Sequence, residues 1–217
     1  MPNNDYTLCR VSAADGGAHL ILTVECTEAG VTQREKLSVL TSRLPAMPKT
    51  GSITPETLSF DREEAAVAAA ITAGMRILGA GGSSGRALRQ KLRQRGASAA
   101  AAAAATEALA DLGYLREEEG AVREAERGMA KLWGNRRILM DLRAKGYEKE
   151  AEAAAMARLS CEDEVARCAT LITRRRMFPG SGDALSKTVA ALMRYGYAMP
   201  EIKKALSRTA AKRFDHA

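Results

Sequence analysis

Aromatic residues are scarce, 4% of 217 positions with a single tryptophan and three phenylalanines. That excludes one thick core built on large rings, and abundant alanine suits many thin contacts between helices instead. Histidine is limited to His19 and His216, far apart in sequence. Such a supply supports neither a metal cluster nor a nucleophile–base pair, and the carboxylates mostly stand where helices start, so the chain reads as no enzyme and as needing no cofactor or metal. Cys9, Cys26, Cys161 and Cys168 contain no C-x-x-C pair, which argues for reduced thiols in the cytoplasm; Cys161 and Cys168 are spaced as two turns of one helix. No apolar run approaches the ~18 residues of a membrane span, and the N-terminus lacks a basic start followed by an apolar core.

Charge is present but unevenly placed. The net charge is +7 and the isoelectric point is near 9.4. Residues 1–60 hold five Lys or Arg against six Asp or Glu, which leaves 28 of the 33 basic and 20 of the 26 acidic residues for positions 61–217. The excess therefore belongs to the later part, and it points to an acidic partner such as nucleic acid or a protein that holds it.

That later part is organised by a recurring signature. Leu88, Leu92, Arg95 and Gly96 are followed by Ile138, Leu142, Lys145 and Gly146, and then by Leu192, Tyr195 and Gly196. Apolar residues four apart lie on one side of a helix, and a glycine after the last of them is a C-terminal left-handed cap. A constant interval marks a repeated structural unit. Arg86 and Arg93 recur as Arg136 and Arg143, well round the helix from the apolar pair, with Arg89 beside them. The third copy has Ser186 and Met193 there, so it keeps the packing and loses the charge.

Taken in order, residues 5–41 read as β, with turns at Asp15-Gly16-Gly17 and Ala29-Gly30, and predict about three strands too thin to be stable alone. Thr54 and Pro55 start a short helix to Phe60. Asp61 and Glu64 then resemble a capping box ahead of a second helix over 65–78. The stretch from Gly79 to Gly85 lacks the preceding strand and the Gly-Lys-Ser/Thr ending of a phosphate loop, so it reads as a joint, with Ser83 or Ser84 capping the signature helix. Ser98 opens a helix through Ala99–Ala105 that is structural. Glu117, Glu118 and Glu119 start the next unit, with Arg127 and Lys131 near the end of its first helix, as the helix dipole favours. Trp133-Gly134-Asn135 recaps the chain, and Tyr147–Leu159 closes that unit. Glu162, Asp163 and Glu164 open another, Arg174, Arg175 and Arg176 end its first helix, Pro179-Gly180-Ser181-Gly182 forms a joint, and Pro200 starts the last helix. The fold class is thus mainly α, tandem three-helix repeats behind a small β-rich segment, divided as 1–60, 61–113, 114–160 and 161–217.

The run Asp111-Leu112-Gly113-Tyr114-Leu115-Arg116, followed by Lys131, Gly134, Arg136, Arg137, Ile138, Asp141, Leu142, Lys145 and Gly146, resembles the central repeat of the RecX family, regulators of the bacterial RecA recombinase. The chain departs from the family pattern at Ala87, where a glutamate is usual, and over Arg116–Ala121, where an aspartate pair and a phenylalanine are usual. The resemblance implies an elongated, curved array of three-helix repeats that lies along the RecA–DNA filament in the cytoplasm. It also implies inhibition of the ATPase, strand-exchange and coprotease activities of RecA in DNA repair and the SOS response. A modular rod gains affinity from several weak sites, and a monomer suffices. The expected contacts with RecA or with its single- or double-stranded DNA are Arg86, Arg89, Arg93, Lys131, Arg136, Arg137, Arg143, Arg174, Arg175 and Arg176. Trp133 and Tyr147 read as packing residues at joints. The competing reading is a stand-alone DNA- or RNA-binding helical protein; no copy shows a recognition helix rich in Asn, Gln and Arg with a clear base-reading face.

Overall fold

The structure, a computed structural model, describes residues 5–80, 82–178 and 182–214, with side chains as far as residue 210. His216 and most of the joint at 179–182 lie outside the described residues, as does Gly81. The chain forms two compact units, one of Met1–Gly81 with Leu88–Leu115 and the other of Gly82–Ala87 with Arg116–Ala217.

The first unit starts with an antiparallel sheet of β1 (Asp5–Ala14), β2 (His19–Glu28), β3 (Val31–Leu40) and β4 (Gly51–Ile53), in the order β3-β2-β1-β4. Three strands are as the alternation predicts. The fourth is a correction: it pairs only Tyr6, Thr7 and Leu8 of β1 with Ile53, Ser52 and Gly51, and three residues after a proline-rich stretch carry no alternating pattern. One face of the sheet buries Tyr6, Leu8, Leu20, Leu22, Val24, Cys26 and Val39 against Leu58. The sheet leans on the helix that follows, as its small apolar surface requires.

That helix, α1 (Pro55–Gly79), corrects the expected break at residue 61. Thr54 caps it through Thr57 N and Pro55 takes its first position, after which it runs unbroken for 25 residues. Asp61 and Glu64 are buried in its middle rather than capping a new start. They lie on the inward stripe between Leu58 and Ala68, and Arg43 neutralises Glu64 with two hydrogen bonds, Nε–Oε2 at 2.5 Å and Nη2–Oε1 at 3.1 Å. Burial pushes the Asp61 carboxyl above its ordinary range. The polar pair looks like a cap in one dimension because acids at i and i+3 share a helix face in either role.

Two helices complete this unit: α2 (Gly85–Gln94), whose first turn belongs to the second unit, and α3 (Ala99–Asp111). Leu88, Leu92, Ala101, Ala102, Ala105 and Leu109 pack on Val67, Ala70 and Ile71 of α1. A Cβ on Gly74 would strike Leu109, so the alanine-rich packing is as thin as the composition implies. The second unit contains α4 (Glu117–Ala130), α5 (Asn135–Ala144) and α6 (Lys149–Ser160), then α7 (Glu164–Arg174), α8 (Asp183–Arg194) and α9 (Met199–Phe214). One cluster joins Ala121, Ala125, Ile138, Leu142, Ala155 and Leu159; another joins Cys168, Leu171, Ile172, Leu192, Tyr197 and Ile202. All four cysteines are free. Cys161 and Cys168 do not share a helix: Cys161 is the exposed end of α6 and Cys168 is buried in α7.

The signature glycines end α2, α5 and α8 alike, with φ of +95°, +78° and +93° at Gly96, Gly146 and Gly196. Each is followed by the same long closing bond, Ala97 N to Leu92 O, Tyr147 N to Leu142 O and Tyr197 N to Leu192 O, the Schellman arrangement. Their surroundings differ. A Cβ on Gly96 would meet nothing within 4 Å, whereas one on Gly196 would fall 2.5 Å from the Arg137 backbone nitrogen. Gly96→Ala should therefore cost about 1–2 kcal/mol of left-handed strain. Gly196→Ala should cost clearly more, because backbone must also move. Urea denaturation of the two variants checks the order; equal losses would contradict it.

Candidate interaction surface

In the second unit the start of one signature helix is seated on the triplet that follows it, twice, by the same chemistry. Ser84 caps α2 through Ala87 N and donates its hydroxyl to Lys145 O at 2.5 Å, just before Gly146. Gly85 N donates to Glu117 Oε1 at 2.6 Å. At the next junction Gly134 N donates to Tyr195 O at 2.8 Å, just before Gly196, and Asn135 N donates to Glu164 Oε1 at 2.8 Å. A glutamate from the first helix of the following triplet thus satisfies an orphan amide at a helix start, where the dipole favours negative charge. Burial raises the Glu164 carboxyl above its ordinary range, against the pull of the Asn135 amide.

Close approach explains the glycines. A Cβ on Gly146 would fall 2.6 Å from Arg86 Cδ, and one on Gly134 would fall 2.5 Å from Tyr197 N. The second junction is further tied by Arg167, which donates to Trp133 O at 2.9 Å and Asn135 Oδ1 at 2.5 Å, and by the buried Tyr197, whose hydroxyl donates to Leu132 O at 2.9 Å. Burial drives the Tyr197 phenol well up and the Cys168 thiol up to about 12, so neither ionises near neutrality. Sequence spacing gives the glutamates at 117 and 164 a dipole role; their remote amide partners depend on how the triplets pack.

The expected contact residues fall into two groups. Arg86, Arg89 and Arg93 on α2, Arg136 on α5, and Arg174, Arg175 and Arg176 at and after the end of α7 are exposed. Among the described residues none of these seven has a side-chain hydrogen bond or ion pair, although the charge of Arg136 lowers the Glu164 carboxyl. The rest are engaged internally. Arg137 is half-buried over the Trp133 ring at 4.2 Å and faces Tyr195 at 5.9 Å, while Lys131 lies 4.8 Å from the same indole. Arg143 donates to both Glu152 oxygens, at 3.1 and 3.0 Å. Trp133 and the buried Tyr147 pack at joints, as their neighbouring glycines suggested. Among the described residues no group of three His, Cys, Asp or Glu could hold a metal, and no helix is long and apolar enough to cross a membrane.

These elements define a class: a mainly α-helical protein of helix triplets behind a small antiparallel sheet. The same fold is found in a crystal structure of regulatory protein RecX, with a TM-score of 0.67 at 15% identity over 91% of this chain and 98% of that one. It is found also in RecX from Lactobacillus salivarius, with a TM-score of 0.57 at 17% identity over 67% of this chain and 97% of that one. No protein-family model and no curated protein sequence matches the chain.

One ion-pair network supports the α4–α5–α6 packing. Lys145 Nζ meets Glu124 Oε2 at 2.6 Å and Asp141 Oδ2 at 2.7 Å. Burial raises the Glu124 carboxyl, but Lys145 and Arg127 outweigh it and hold the group below its ordinary 4.5; Lys145, desolvated yet doubly paired, is held above its ordinary 10.5. A depressed acid stabilises above its unfolded pKa and loses that contribution as pH falls through its folded value; a raised lysine loses its own as pH rises through its folded value. Glu124→Gln should therefore cost about 1 kcal/mol at neutral pH. The difference from the parent protein should shrink below pH 4.5. Denaturation across pH measures it, and a pH-independent difference would exclude this role.

Proposed function

We propose that this protein is a regulator of the RecA recombinase that binds along the RecA–DNA filament and suppresses its ATPase, strand-exchange and coprotease activities in DNA repair and the SOS response. The observation that carries the reading is α2: it buries only Leu88 and Leu92 fully and turns Arg86, Arg89 and Arg93 outward with no ion pair among the described residues. Cations without an internal counter-charge keep their full attraction for acidic protein patches or DNA phosphates. Arg136 and Arg174–Arg176 supply further contacts. Lys131, Arg137 and Arg143 act through their neighbours, as supports of the surface carrying Arg136. The similarity in fold to regulatory protein RecX supports the same role, and the RecX-like sequence run across 111–146 supports RecA as the partner. Helical segments at 61–113, 114–160 and 161–217 act as linked weak sites on a polymer, and a monomer acting in the cytoplasm without a cofactor is sufficient. Regulation needs only a preference for one filament state over another.

The test is the single-stranded-DNA-dependent ATPase of the cognate RecA with increasing amounts of this protein. The expected result is a dose-dependent loss that weakens about tenfold or more when Arg86, Arg89 and Arg93 become alanine together, and changes much less for Arg143→Ala. No effect at excess protein would overturn the proposal. A loss explained by sequestration of bare DNA, with affinity falling steeply with salt and unaffected by RecA, would assign the arginines to a stand-alone nucleic-acid-binding protein.

A further inference from the structure

We propose that the groove between α7 and α9 is a docking site for an acidic amphipathic segment of a partner protein. The groove has a volume of about 510 Å³, with Ala166, Ala169, Thr170 and Thr173 along one wall, Thr209 on the other and Arg174 and Arg208 at its rim. The threonine hydroxyls are engaged by their own helices: Thr170 donates to Ala166 O at 2.9 Å, Thr173 to Ala169 O at 3.0 Å and Thr209 to Ala205 O at 3.0 Å. The walls are in effect apolar and small; at the rim Arg208 is paired with Asp163 at 2.8 Å, while Arg174 has no ion pair among the described residues.

The chain supplies its own comparison. Aligning Glu117 with Glu164 and Ala155 with Ala205 places α4 and α6 in register with α7 and α9. In the α4–α6 pair five of the seven corresponding positions are Glu119, Arg123, Glu126, Arg127 and Arg158, all in ion pairs, and the other two are Val122 and Leu159. Arg158 spans the two helices to Glu126 at 3.0 Å, Arg123 meets Glu119 at 3.6 Å and Arg127 meets Glu124. At the α7–α9 pair Glu119 becomes Ala166, Arg123 becomes Thr170 and Glu126 becomes Thr173. The bridge at the position of Glu126 is lost, and Arg208, the counterpart of Arg158, pairs instead with Asp163, the cap of α7, at 2.8 Å. Arg174, the counterpart of Arg127, has no ion pair among the described residues. A cleft that the Arg158–Glu126 bridge closes in one triplet is open and apolar-walled in the next, with Arg174 as its unpaired cation.

Charge complementarity requires an acidic occupant. The apolar walls of alanine and self-bonded threonine favour a peptide over a nucleic-acid backbone, because an amphipathic helix sets small apolar side chains into such a groove and its carboxylates at the rim, whereas a phosphate backbone makes no use of those walls. The groove shares Arg174 with the contacts proposed above, but its test uses a peptide and no RecA, so either proposal can fail without the other.

The probe is a fluorescein-labelled peptide of alanine, leucine and glutamate, about four helical turns long, measured by anisotropy against its counterpart with glutamine for glutamate. The glutamate peptide is expected to bind the full chain about tenfold tighter at low salt, with an advantage that fades as salt screens it. Thr173→Glu restores the bridge seen between Glu126 and Arg158. It should reduce binding about tenfold or more while leaving the melting temperature unchanged or higher. Arg174→Gln should weaken the glutamate peptide and leave the glutamine peptide unaffected. Absence of binding, equal binding of the two peptides, or unaltered binding to Thr173→Glu would overturn the proposal. So would a labelled single-stranded oligonucleotide that displaces the peptide and is itself lost with Thr173→Glu, since the groove would then belong to a nucleic acid.

Discussion

The second unit depends on one contact made twice, the seating of a signature-helix start on the carbonyl and glycine that end the next signature helix. An isolated helix start leaves its first amides to water. Here a glutamate carboxylate takes one amide at each junction, and the carbonyl before the capping glycine takes a second donor from Ser84 or Gly134. Backbone approaches so closely at Gly134 and Gly196, and the Arg86 side chain at Gly146, that a side chain on any of the three would collide. Left-handed geometry and contact with the neighbour therefore constrain Gly146 and Gly196 together, while Gly96 answers only to the first requirement.

This contact also decides which cations remain available. Arg86 covers Gly146 with its aliphatic stem and keeps its charged end exposed, a division of labour open to long basic side chains. Arg137 is drawn over Trp133 and Tyr195, and Arg143 is held by Glu152. Arg89, Arg93 and Arg136 are exposed and keep no hydrogen-bond partner among the described residues. The basic signature is thus divided by packing into charges that hold the unit and charges that face outward.

Much of this was legible in the sequence because the relevant rules are local. The capping glycines announce their φ, and Thr54, Ser84, Ser98 and Asp163 stand where helix starts need an acceptor, each accepting the expected amide. The apolar pairs Leu88–Leu92 and Ile138–Leu142 are buried as their spacing requires. What escaped depends on distant partners. The acids at 61 and 64 stand at cap spacing, yet α1 runs through both, and Glu64 is held by Arg43, 21 residues earlier. The short β4 exists only because β1 offers an edge to Gly51–Ile53. The remote roles of Glu117 and Glu164 follow from triplet packing, as does the capture of Arg137 by Trp133, and neither leaves a mark in periodicity. The RecX-like run from Asp111 to Gly146 carried the fold assignment further than composition did.

The most direct measurement of the seated helix starts is amide hydrogen exchange at Gly85, Gly134 and Asn135. First-turn helix amides ordinarily exchange rapidly, so protection comparable to that of the α5 interior is the result the structure demands, with Glu164→Ala releasing Asn135 while Gly85 stays protected. Exchange of all three at the rate of an unstructured chain in the parent protein would contradict the account.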